Sequence, residues 1–90
     1  MWNIVESHLA KNGFQLSPDC RDRFFHFIKD GEKRLDIELS TISRSEVETN
    51  LITLLDEMMV RAEQERSNTI STEIFESAQK KFRPLWPFCS

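Results

Sequence analysis

Few residues in this chain could carry chemistry: two histidines, His8 and His26, and two cysteines, Cys20 and Cys89, among ninety residues. Nucleophilic catalysis needs a base within hydrogen-bond reach of a serine or cysteine, held in turn by a third group. Neither histidine stands in a nucleophile motif. Cys20 lies in Pro18-Asp-Cys-Arg-Asp22, where Arg21 and Arg23 would lower a thiol pKa and Asp19 and Asp22 would oppose them. It reads as an incidental loop cysteine. His26 stands among phenylalanines and reads as a packed strand histidine with one bonded nitrogen. His8 falls beside Ile4 on a helix wheel and reads as packed in the same way. A zinc site would ask for close pairs such as Cys-x-x-Cys or His-x-x-x-His, and the sequence has neither.

The carboxylates are the other groups that could carry chemistry. Pro18-Asp19 followed by Asp36-Ile-Glu38 resembles metal-dependent nucleases, which hold a cation with acids on neighbouring strands. Those sites place a lysine two residues after the second acid, and here Ser40 stands at that point. The acids therefore read as outward strand charges that keep one face wet. Gly13 and Gly31 are the only glycines and serve as helix cap and turn, which leaves none for a phosphate-cradling loop. The expectation is a non-enzymatic protein with no catalytic residue, no metal and no cofactor.

These residues must be positioned by one small α+β domain spanning 1–90. The chain is near the lower size limit for folding without metals or disulfides. The apolar fraction is 39%, with seven Phe and two Trp, which suffices for a compact core. Net charge is −3, and residues 40–68 carry three Lys/Arg against six Asp/Glu. A general affinity for phosphate backbones is disfavoured by that balance. Two cysteines are too few for a small secreted scaffold and suit a reducing cytosol, although a Cys20–Cys89 bridge stays open. The N-terminal segment lacks the basic start and apolar run of a signal peptide. No stretch approaches the ~18 apolar residues of a membrane span. The localisation expected is cytoplasmic.

The predicted element order is α-β-β-α-α. A first helix over about 2–11 groups Trp2, Ile4, Val5 and Leu9 and stops at Asn12-Gly13. A short extra strand is an option near 14–16, ended by Ser17-Pro18. An antiparallel β-hairpin follows over about 23–39, with Phe24–Ile28 facing Lys33–Leu39 across Asp30-Gly31. Its register is open: a two-residue turn places Phe24 and Ile28 inward, and a three-residue turn places Phe25 and Phe27 there. A long central helix over about 44–66 starts at the capping box Ser43-Arg-Ser-Glu46 and carries Val47, Leu51, Leu54, Leu55, Met58 and Ala62. With Ile52 and Met59 its apolar arc reaches roughly 160°, wider than one neighbour covers. The sheet plus another helix or a second subunit would be needed. A last helix over about 72–82 has Ile74, Phe75, Ala78 and Phe82 on one face, and an aromatic, proline-containing tail spans 84–90. No internal repeat is visible.

A helix, a small antiparallel sheet and a second helix resemble the layout of double-stranded RNA binding modules. Such modules place lysines at the start of the second helix. This chain reads Ser43-Arg-Ser-Glu-Val-Glu48 there, with one cation and two acids, so the likeness stops at topology.

The function expected is protein binding, in the manner of a small inhibitor, immunity protein or regulator, with a second protein or a second copy of the chain as partner. Acidic contact candidates are Glu48, Asp56, Glu57, Glu63 and Glu65, and apolar ones are Met59, Trp86 and Phe88. The alternative is a nucleic-acid-binding regulator using Lys80, Lys81 and Arg83, as a dimer that joins two modest basic patches.

Overall fold

A computed structural model describes residues 1–36 and 43–82, with the side chains of 34–36 and 82 left out of the description. Four helices and one two-stranded sheet make up the described chain. They are α1 (Trp2–Asn12), β1 (Gln15–Leu16), α2 (Pro18–Asp36), α3 (Arg44–Gln64), β2 (Thr69–Ile70) and α4 (Thr72–Phe82). The α+β expectation with an antiparallel hairpin on a central helix is overturned. The sheet is a minor parallel bridge, and the region expected to form the hairpin is helical as far as Asp36. Residues 37–39 of the expected second strand and the whole 84–90 tail lie outside the described residues.

The physical reason lies in the start of α2. Ser17 caps it, its hydroxyl accepting from the Cys20 amide at 3.3 Å, and Pro18 occupies the first position, where its missing N–H costs nothing. Asp19 in the first turn suits the positive end of the helix dipole. Cys20, Phe24, Ile28 and Gly31 then fall on one buried stripe at helical spacing, with Phe27 packed beside it. Asp30-Gly31 makes no turn, because among the described glycines only Gly13 has positive φ. A glycine inside a helix costs about 1 kcal/mol. Burying Phe24 and Ile28 outweighs that, at ~1.5–3 kcal/mol each.

The other three helices follow from their caps and stripes. α1 ends at Gly13, whose φ of 78° and ψ of 22° close the helix through Gly13 N donating to Ala10 O and Phe14 N donating to Leu9 O. α3 starts at Ser43, whose hydroxyl accepts from the Glu46 amide at 3.2 Å. It ends with Arg66 N donating to Glu63 O and Ser67 N donating to Ala62 O. α4 is capped by Ser71, which accepts from the Ile74 amide at 3.3 Å.

A repeat that the sequence hides becomes visible in this construction. In each half a helix closes through a left-handed residue, Gly13 or Arg66, and a two-residue strand follows. A serine, Ser17 or Ser71, then caps the next helix. The strands pair parallel, Gln15 with Thr69 and Leu16 with Ile70, so equivalent residues of the two halves meet. Gln15 N donates to Asn68 O and Ser17 N to Ile70 O.

Packing joins α1 to α3, α3 to α4 and α4 to α2. Trp2 closes the circuit with its ring edge-on to Phe24 and Phe25, at 5.9 and 5.3 Å between centroids. Phe75 stacks on Phe24 at 4.8 Å and meets Phe27 edge-on at 5.4 Å. The wide arc of α3 therefore has its two neighbours within the chain, α1 and α4. Val47, Leu51, Leu54, Leu55, Met58, Met59 and Ala62 are all buried.

Candidate binding groove

Because β1 and β2 run parallel and each leads into a helix, α2 and α4 set out side by side in the same direction. Between them lies an open groove of about 390 Å³. Phe27 and Phe75 form its apolar base. Asp22, Arg23, His26 and Asp30 border it from α2, and Glu76 and Gln79 from α4. Asp22, His26 and Asp30 recur every four residues, so the helix turns each of them to the same side. Arg23 Nη1 donates to Glu76 Oε1 at 2.6 Å and ties the two walls together. His26 Nε2 lies 3.6 Å from Asp22 Oδ1, and both side chains stand mostly in water.

His26 and Cys20 differ from the sequence reading. His26 is not a packed strand residue; it is exposed on α2. His8 is half-buried on α1, with Nε2 at 2.8 Å from Asp56 Oδ1 on α3. Cys20 is no loop cysteine but a fully buried member of the α2 stripe. Burial, and secondly the negative charge of Glu76, push its thiol up to about 12. Arg21 and Arg23, which might have lowered it, are engaged elsewhere: Arg21 Nη2 lies 3.4 Å from Glu6 Oε1, and Arg23 binds Glu76.

The expected partner contacts on α3 have different surroundings. Glu48 is half-buried, and Asp56 holds His8. Glu57 accepts from Arg61 Nε at 3.1 Å and from Lys81 Nζ at 3.5 Å, which makes it a link between α3 and α4. Met59 is only 7% exposed and belongs to the core. Glu63 and Glu65 are exposed at the far end of α3. Lys80 and Lys81 are exposed on the last turn of α4, where cations suit the helix dipole. Trp86, Phe88 and Arg83 lie outside the described residues.

Among the described residues no group of three His, Cys, Asp or Glu side chains is placed to hold a metal ion. No described helix is long and apolar enough to cross a membrane. Comparison with known proteins finds no matching family model, no similar curated protein and no similar solved structure.

The sequence reading missed the groove because it placed residues 23–39 in a hairpin. The signal was present as Asp22, His26 and Asp30 at helical spacing, with Arg23 and Phe27 beside them.

Proposed function

We propose that this protein is a non-catalytic module that acts by binding another protein, as a small inhibitor or regulator would, and that the α2–α4 groove is its contact surface. The observation that supports this reading is the groove itself: a shallow apolar base edged by charged side chains, the composition of a recognition surface. A chemical step finds little support nearby. The buried thiol is held protonated, and the histidine at the groove leans on a single exposed aspartate. A reducing cytosol is the compartment proposed, supported by the sparse cysteines and the free thiol of Cys20.

The test is affinity capture from the native cell with wild-type protein and a charge-reversed variant, Asp22→Arg. The variant should melt close to wild type, because Asp22 is a surface residue and surface changes cost within about 0.5 kcal/mol. A partner held by wild type and lost by the variant supports the reading. Equal recovery by both, or no specific partner, overturns it.

A further inference from the structure

We infer that the free edge of β1 takes an uncharged, extended segment of a partner protein as a third strand, with one apolar side chain of that segment seated in the cleft beside α1. A two-stranded sheet has two edges, and this sheet treats them differently. On β2, the Thr69 amide donates to Ser67 Oγ at 3.1 Å and the Ser67 hydroxyl donates to Thr69 O at 3.2 Å, so that edge is closed from within. On β1, Gln15 and Ser17 direct their amides toward β2, to Asn68 O and Ile70 O. Leu16 stands between them and turns its amide and carbonyl the other way, where neither has a partner among the described residues. Phe14 precedes Leu16 by two places, as Ser67 precedes Thr69, and has no hydroxyl to close the edge. Unpaired strand edges are templates for another strand.

A cleft of about 290 Å³ opens along this edge, with Val5, Leu9, Phe14 and Leu16 as its apolar lining. A single residue offering both a donor and an acceptor matches the hydrogen-bonded pair of an antiparallel ladder, in which two opposed residues exchange both bonds. The partner residue opposite Leu16 shares its face of the sheet, which brings its side chain to the cleft. Charge selects the rest of the segment. Glu6 on α1 and Arg21 on α2 line the same cleft and pair at 3.4 Å, each more than half exposed. They neutralise each other, so an uncharged segment leaves the pair intact, whereas a charged residue at its centre competes with it. No residue of this cleft lines the α2–α4 groove, so the two surfaces stand or fall separately.

The probe is the peptide acetyl-Thr-Thr-Val-Thr-Thr-amide, uncharged and rich in strand-forming residues, titrated into ¹⁵N-labelled protein while amide exchange is followed. In the protein alone the Leu16 amide should exchange faster than that of Thr69. Saturating peptide should slow exchange at Leu16 several-fold and leave Thr69 unchanged, with shifts confined to α1, β1 and the first turn of α2. Affinity should not depend on salt. Methylating the valine nitrogen of the peptide removes its donor to Leu16 O and should abolish binding, and aspartate or lysine in place of the valine should weaken it several-fold. Phe14→Ser supplies the missing hydroxyl and should bind several-fold more weakly than Phe14→Ala, which loses the same ring and leaves the edge open. Should these variants fail to fold, the methylated peptide decides alone. Undiminished binding of the methylated peptide, shifts on another face, or no binding of the parent peptide overturns the inference. So does a Leu16 amide already protected in the free protein. Protection that grows with protein concentration would put a second copy on the edge, and protection independent of it would put a segment of the same chain there.

Discussion

Cys20 shows how a residue's setting decides its chemistry. The local sequence surrounds the thiol with two arginines and two aspartates, a balance with no clear winner. Folding settles it by sending Arg21 to Glu6 and Arg23 to Glu76 while the sulfur goes into the core. With its pKa pushed from 9.0 to about 12, the thiol holds its proton more tightly folded than unfolded. Its contribution to stability is therefore complete below about pH 9 and is lost as pH rises toward 12. Cys20→Ala removes this linkage and also leaves a small cavity. The stability gap between wild type and variant, measured by denaturant titration, should narrow steadily from pH 9 to 12. A gap that stays constant would show that the thiol is not held in its neutral form. Thiol reagents should label Cys20 only at the rate of unfolding.

At the scale of elements, the two helix ends that build the repeated turn use unequal residues in the same conformation. Gly13 has φ 78° and Arg66 has φ 57°, and only glycine reaches that region without strain. Nothing lies within 4 Å of the point where a Cβ on Gly13 would sit, so Gly13→Ala meets no clash and should cost about 1 kcal/mol through backbone strain alone. Arg66→Gly relieves the matching strain, partly offset by the entropy of a freer unfolded chain. It should stabilise by up to about 1 kcal/mol, read as a higher melting temperature. The same caps explain how much of the fold was legible. α1, α3 and α4 announce themselves through Gly13, Ser43-x-x-Glu46 and long apolar stripes, and the structure places helices there. α2 misled because Phe24-Phe-His-Phe-Ile28 is too short to separate a period of 2 from one of 3.6. Asp30-Gly31 then tipped the reading toward a turn. The longer run from Cys20 to Gly31, led by Ser17-Pro18, carries the helical period, and with the hairpin went any view of the groove. The pairing of β1 with β2 joins residues 54 apart, which two-residue strands give no local means to see.

At the scale of the molecule, the breadth of α3's apolar face has a different meaning from the one its sequence suggests. A stripe of roughly 160° exceeds what one neighbour covers, and a second subunit was one way to complete it. The chain completes it alone: α1 lies along one flank, tied by His8 to Asp56, and α4 along the other, tied by Arg61 to Ser77 and Lys81 to Glu57. Met59 and Val60 make the distinction measurable, since these neighbours on one helix are 7% and 49% exposed. Met59→Ala should cost 2–5 kcal/mol in a single cooperative transition, as for other buried methionines. Val60→Ala should stay within about 0.5 kcal/mol. A Met59 that instead served as a partner anchor would show the reverse: little loss of stability and a loss of partner capture. The same covering of α3 leads to an expected scattering mass near 10.6 kDa, one chain. A mass near twice that, abolished by Val60→Asp but untouched by Met59→Ala, would place a self-association face on the outer side of α3, opposite the one that α1 and α4 fill.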